Sequence, residues 1–340
     1  MHASRAIIRL AGISIFLLFL LPACKRQEAP AVKEHSTGEV QAVTLCHGSV
    51  TDILPRIALE QGYFMQEGLS VTIKEMSDGK LAFDDLLKGT CNFAVTGTPP
   101  IISTSPTITS FTILATVMSD DDSARIVARR DRGIARPADL KGKRIGVKKG
   151  IIGHFFLDLF MMKHGLAPKD VTQVYMGTEQ FIAALESGTI DGFSMTEKMV
   201  SATARKLGAN AVVFSEPGLC VFPAILTTRI DQPNDLRATP GLLKALLRAR
   251  QYAHEQPAAA KALIARSLNI PNDEIEAVWS RTTIELSLPN TLFIAMEDQF
   301  NWQVQRGFIP GTAHTPNYLT IVSPQYLTAL DPDLVTVIKR

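Results

Sequence analysis

The sequence predicts an α/β protein made of two doubly wound lobes with a ligand cleft between them. Three observations predict it. The stretch "LLKGTCNFAVTGTPP" (86–100) and the stretch "ALESGTIDGFSMTEK" (184–198) share one grammar: a helix tail, a glycine, a short apolar strand and a polar turn. The strand-like runs are apolar without strict alternation, as parallel strands covered on both faces should be, and they alternate with helical runs of about 10–15 residues. The chain has 340 residues, 46% hydrophobic and 20% charged, enough to form two core-bearing domains.

The elements follow in order. "VTLCHG" reads as a first strand, followed by a helix, then "EQGYFMQEGLSVTIKEM" as helix end, Gly-Leu turn and strand, then "SDGKLAFDDLLKGTCNFAVTG" as turn, helix and strand. The second half repeats this with "RIGVKKG", "FMMKHGLAPKDVTQVYM" and "GTEQFIAALESGTIDGFSM". Gly68, Gly89, Gly165 and Gly188 close the helices, where a left-handed residue frees the last carbonyls to find partners. Two such βαβαβ units with right-handed crossovers make two lobes, and ligands collect at the carboxyl ends of their strands.

Between the halves, the run 126–129 reads as the segment that carries the chain into lobe two, and "VFPAILTTRI" as the one that brings it back. From "TPGLLKALLRARQYAHE" onward the chain is helical, with Leu242, Leu246 and Ala249 or Leu243, Leu247 and Arg250 at helical spacing, and packs on lobe one. The expected domains are 42–128 with 225–340 for lobe one and 129–224 for lobe two.

The first residues stand apart from this fold. Arg5 and Arg9 precede the apolar run "LAGISIFLLFLL", which is short for a membrane span and right for an export signal. "LPAC" then places Leu21 and Ala23 ahead of Cys24 as in a bacterial lipobox, so residues 1–23 are expected to be removed and Cys24 to carry the lipid. A plain cleaved signal with an incidental Cys24 is the alternative. Residues 24–41 are polar and aperiodic, a flexible tether. Loss of residues 1–23 removes Arg5 and Arg9 and leaves 33 basic against 33 acidic residues. That balance argues against a nucleic-acid partner and against a polybasic membrane surface.

Cys46, Cys91 and Cys220 follow the lipobox, none of them in a metal-ligating or redox spacing. Cys46 and Cys91 lie in apolar runs and read first as small buried hydrophobes, with a disulfide as the alternative.

Five stretches in order, "LPRIALEQGYFMQEGLSVTI", "LLKGTCNFAVTGTPP", "ADLKGKRIGVKKG", "HGLAPKDVTQVYM" and "ALESGTIDGF", followed by "VSPQYLTAL", carry a family likeness over nearly the whole mature chain. The chain resembles the periplasmic substrate-binding proteins of ABC importers, in the group related to aliphatic sulfonate, taurine, nitrate and thiamine-pyrimidine binding proteins. The resemblance implies a type II periplasmic binding protein fold, in which two lobes on a two-strand hinge close over a solute. It also implies a permease and its ATPase as partners, a place on the periplasmic face of a bacterial membrane, a monomer, and a sulfonate-like anion or a pyrimidine-like heterocycle as ligand.

Candidate ligand contacts lie at the strand ends. In "VTGTPPI", Thr98 is an expected N-cap and Pro99 the first helical residue, with Gly97 leaving the turn open to approach. Ser49, Thr51 and Asp52 lie between the first strand and its helix, and Asp78, Ser119 and Asp120 stand at other strand ends. In lobe two, Gly150 and Gly153 loosen the backbone around Ile151 and Ile152, where the family has small hydroxyl residues, so the site is expected to be less anionic than a sulfonate site. His154 is either a donor to the ligand or a cap or surface residue. Thr196 and Glu197 follow the last strand of the unit, Glu197 as a cleft carboxylate for a ligand amine or ring N–H or as an exposed acid.

No catalytic motif occurs with its required spacing, so the expectation is a binding protein without catalytic residue, cofactor or metal. Two other readings remain: a binding lobe that signals or docks on a partner without its own importer, and an enzyme resembling the fungal thiamine-pyrimidine synthase. The dense cysteine cluster of that synthase is missing from this sequence.

Overall fold

The computed structural model describes residues 39–48 and 53–337. The leader, Cys24, nearly all of the tether, and Ser49, Thr51 and Asp52 lie outside the described residues.

The chain begins β1 (Gln41–Gly48), α1 (Ile53–Glu60), α2 (Tyr63–Gln66), β2 (Leu69–Met76), α3 (Gly79–Lys88), β3 (Phe93–Thr96), α4 (Thr98–Thr104) and β4 (Phe111–Asp120). It continues through β5 (Ala124–Arg129), β6 (Arg144–Val147), α5 (Ile152–Lys163), β7 (Thr172–Tyr175), α6 (Phe181–Ser187), β8 (Gly192–Thr196), α7 (Glu197–Leu207) and β9 (Ala211–Phe214). It ends with β10 (Phe222–Arg229), α8 (Pro233–Glu255), α9 (Pro257–Leu268), α10 (Asn272–Arg281), β11 (Thr282–Ser287), α11 (Asn290–Gln305) and α12 (Gln325–Leu330).

Two sheets result, in the orders β11-β4-β10-β3-β1-β2 and β7-β6-β8-β5-β9. β1 runs parallel to β2 and β3, and β6 runs parallel to β7 and β8. The sequence repeat is therefore one sheet design used twice. In each sheet the strand after this parallel trio arrives from the other lobe and lies antiparallel: β10 against β3, β5 against β8.

The central strands β3 and β8 are apolar and buried almost throughout. At the edges the pattern changes: β2 alternates buried and exposed residues from Leu69 to Thr72, and no β7 residue is fully buried. An edge strand has a neighbour on one side only and a partly uncovered face, so polar residues are tolerated there. The expected helix stops are present, with Gly89 at φ 80° and Gly188 at φ 76° ending α3 and α6.

Three sequence expectations are corrected. β5 is a full member of the second sheet, so the chain crosses to lobe two at 121–123, before the expected boundary of 128/129, and returns through 215–221. The two crossings are tied together: the Gly218 N–H donates to the Asp121 carbonyl at 2.9 Å, and the Ser215 hydroxyl donates to Asp122 Oδ1 at 2.8 Å. Cys46 and Cys91, read first as free hydrophobes, form a disulfide with their Cα atoms 6.0 Å apart. β1 pairs with β3 in the register Cys46 to Ala94, which brings the two cysteines side by side. Cys220 is the unpaired cysteine among the described residues; it is buried, and burial pushes its thiol up to about 12.

The third correction concerns the C-terminal helices. α8 buries Leu242, Leu243, Leu246 and Ala249 in the core of lobe one, as expected, whereas β11, in a stretch read as helical, adds an edge strand to its sheet. α11 instead touches both lobes. Its Gln299 accepts from the Thr98 hydroxyl and Gln303 from the Ser103 hydroxyl at 2.8 Å, both on α4. Trp302, which lies between them, donates its indole N–H to Asp158 on α5 at 2.7 Å, joined there by Arg306 from the end of the helix. Among the described residues no helix is long and apolar enough to cross a membrane.

Candidate functional site

The parallel strands of both sheets end at one cavity of about 100 Å³. Lobe one contributes the turns after β1, β2 and β3, through Gly48, Asp78 and Gly97, and lobe two the turns after β6 and β8, through Ile151 and Glu197. Met118, Met195, Ile152 and Phe222 complete an apolar lining. This is the placement that parallel α/β topology dictates for a ligand, because side chains and free backbone groups of several loops converge there.

In this conformation the lobes touch across the cavity through ion pairs. Asp78 caps α3 with one oxygen, accepting from the Leu81 N–H at 3.0 Å, and holds Lys148 of lobe two with the other. Glu197, the first residue of α7, meets Arg281 from the end of α10 at 3.1 Å and Arg125 at 3.6 Å. Arg281 also holds Asp120 at 3.1 Å, with the two side chains only 11% and 8% exposed. Burial raises the Asp120 carboxyl above its ordinary range, opposed by the Arg281 charge. Lys198 and Glu75 stand 3.8 Å apart at the exposed rim.

Of the candidates named from sequence, Asp78, Gly97, Asp120, Ile151, Thr196 and Glu197 line the cavity together. Thr98, Ser119, Gly150 and His154 do not. Thr98 is the first residue of α4, with Gly97 as its N-cap, so its hydroxyl is not the cap expected of it and turns back to Gln299. Ser119 donates to Glu285 on the adjacent strand β11. Gly150, at φ 74°, supplies the turn that precedes Ile151. His154 is neither cap nor surface residue: it is fully buried, with Nδ1 accepting from the Gly150 N–H at 3.4 Å and Nε2 facing the side-chain Oε1 of Gln173 at 2.9 Å. Burial lowers its pKa below the ordinary 6.5, with Arg306 and Lys149 acting in the same direction and Asp158 and Gln173 against it.

Gly97 has a different use from the open approach read in the sequence. A Cβ there would lie 2.4 Å from the Phe222 ring, so the glycine exists to admit a ring from the returning strand. Lys148, Arg281, Ser123 and Phe222 escaped the sequence reading. The acidic run before Ser123 was the one signal of a special segment there, while Arg281 sits at the end of an ordinary amphipathic helix. Among the described residues no group of His, Cys, Asp and Glu is placed to hold a metal ion.

Comparison with known proteins agrees with this geometry. The sequence profile of the NMT1/THI5-like family matches residues 54–260. A Bacillus subtilis protein, described as a candidate aliphatic sulfonates-binding protein, is 28% identical over 212 residues, 60% of this chain and 61% of that protein; the match therefore spans less than two thirds of the relative's length. Among solved structures, the alkanesulfonate-binding protein SsuA from Xanthomonas axonopodis pv. citri, bound to MOPS, superposes with a TM-score of 0.69 at 16% identity, covering 84% of this chain and 99% of that one. The periplasmic nitrate-binding protein NrtA from Synechocystis PCC 6803 superposes with a TM-score of 0.67 at 16% identity, covering 87% and 89%. The two lobes, their twofold use of one sheet plan and the cleft between strand ends make this a type II periplasmic binding protein fold, and the chain belongs to the NMT1/THI5-like family.

Proposed function

We propose that this chain is the extracytoplasmic solute-binding lipoprotein of an ABC importer. It captures a small organic solute between its lobes and hands it to a permease driven by an ATPase. The observation that carries this reading is the cavity at the strand ends of both lobes, joined by two crossing segments that allow hinge closure. Relatives named for sulfonate and nitrate binding support the choice of a small solute. The Cys46–Cys91 disulfide supports an oxidising compartment outside the cytoplasm, and the lipobox at Cys24 supports a lipid anchor.

Thermal unfolding of the purified chain against sulfonates, nitrate, pyrimidines, amino acids and polyamines tests the reading. A solute at a thousandfold over its dissociation constant adds about 4 kcal/mol of stability, visible as a raised Tm. A folded, ligand-free protein that responds to none of these classes counts against solute capture and favours partner docking.

A further inference from the structure

Resting on the solute-binding reading, we infer that the cleft takes an uncharged, mainly apolar molecule of single-ring size, and that the Ser123 hydroxyl reads its one hydrogen-bonding group.

The charge inventory of the cavity leads to the first half. Among the described residues six charged ones line it: Asp78, Lys80, Asp120, Glu197, Lys198 and Arg281. Each already has an opposite partner within the protein: Lys148 for Asp78, Asp84 for Lys80, Glu75 for Lys198, and Arg281 for both Asp120 and Glu197. An anion that recruited Arg281 would strip the buried Asp120 of its counter-charge and leave Glu197 with Arg125 alone at 3.6 Å, and that costs more than a new ion pair returns. Among the described residues four helices begin at the cavity. The starts of α3 and α7 are matched by the Asp78 and Glu197 carboxylates, α4 has Pro99 and Pro100 in its first turn, which have no N–H to offer, and the start of α5 presents Ile151 and Ile152 where a polar ligand group would need donors. The apolar walls include Met118, Met195, Val278 and the Phe222 ring seated on Gly97, while Ser77, Thr96 and Thr196 also line the cavity, Thr96 with its hydroxyl already donating to the Gly79 carbonyl at 2.8 Å. The volume of about 100 Å³ is of the order of a dry apolar cavity of about 150 Å³ that accepts benzene.

The second half comes from Ser123. It lies in the crossing between β4 and β5, lines the cavity, and is only 9% exposed. Among the described residues its Oγ has no hydrogen-bond partner, while its carbonyl is used by the Glu197 N–H at 2.8 Å. A buried hydroxyl left unpaired is unfavourable, and a ligand acceptor or donor at that point removes the deficit. Because Ser123 belongs to the crossing and Glu197 to lobe two, a ligand bound there sits where lobe movement is felt.

Calorimetric titration of the purified full chain with matched pairs, benzamide against benzoate and benzenesulfonamide against benzenesulfonate, tests both halves. The neutral member of at least one pair is expected to bind tenfold or more tighter than its anion. Ser123→Ala is expected to weaken that neutral ligand about tenfold while leaving the Tm of the unliganded protein unchanged or slightly raised. Anions binding as well as or better than their neutral partners, or Ser123→Ala without effect on affinity, overturn the inference and leave solute capture intact. Binding by no member of either pair also overturns it, and the broader thermal panel then judges solute capture separately.

Discussion

The indole N–H of Trp302 donates to Asp158 Oδ2 at 2.7 Å, linking a helix that began on lobe one to a helix of lobe two. Arg306 holds the same carboxylate, whose side chain is only 10% exposed. On the same helix, three residues before and one residue after Trp302, Gln299 and Gln303 grip α4 of lobe one. Replacing Asp158 with Ala leaves a guanidinium and an indole N–H without their acceptor. Unfolding in urea should show a loss of about 3 kcal/mol, the scale for breaking one side of a poorly exposed pair. A loss under about 0.5 kcal/mol would show that this bracket carries no weight.

Across the cleft, Lys148 and Asp78 make an ion pair that exists only when the lobes meet. Lys148→Met should shift the unliganded protein toward an open form by about 1 kcal/mol, near the upper end for partly exposed pairs. Small-angle scattering should report a larger radius of gyration, and added salt should move the wild-type protein the same way. An unchanged radius in both experiments would separate this pair from closure.

Gly97 and Phe222 predict a rescue. Gly97→Ala places a methyl against the ring and should destabilise the protein by about 1–3 kcal/mol, as overpacking does. Phe222→Leu in the same chain should recover most of that loss. Failure to recover would point to the backbone at residue 97 in place of the ring.

Acidification acts through His154. Its folded-state pKa lies below the unfolded 6.5, so the stability it contributes is complete above about pH 6.5 and is lost as pH falls through the lower folded value. The slope from one such proton cannot exceed about 1.4 kcal/mol per pH unit. Unfolding free energies between pH 7.5 and 5.5 should fall for the wild type and fall less for His154→Gln. Equal slopes would assign the pH dependence to other groups.

The disulfide joins residues 45 apart and closes a sizeable loop of the unfolded chain. The double replacement Cys46→Ala with Cys91→Ala should lower stability by about 2–4 kcal/mol. Peptide mapping without reductant should recover the two cysteines as one linked species, and separate peptides would contradict the pairing.

What the sequence by itself determined is the local and repeated part of this protein. Glycines at 89 and 188 end helices because their left-handed conformation is available there at little cost, and that signal needs no neighbour from elsewhere in the chain. The apolar runs, their alternation with helices and their recurrence after about a hundred residues carried the two-lobe plan and its cleft, along with Gly97, Asp78, Asp120, Ile151, Thr196 and Glu197 at strand ends. Only the tertiary structure decided which side chains meet there. Arg281 reaches Glu197 over 84 residues of sequence, Gln299 reaches Thr98 over 201, and Cys46 finds Cys91 because β1 pairs with β3. Such contacts depend on strand order and on the crossing points at 121–123 and 215–221, which no periodicity encodes. The same holds for Ser123: its hydroxyl is one among many in the sequence until the fold buries it beside the cavity with no partner among the described residues.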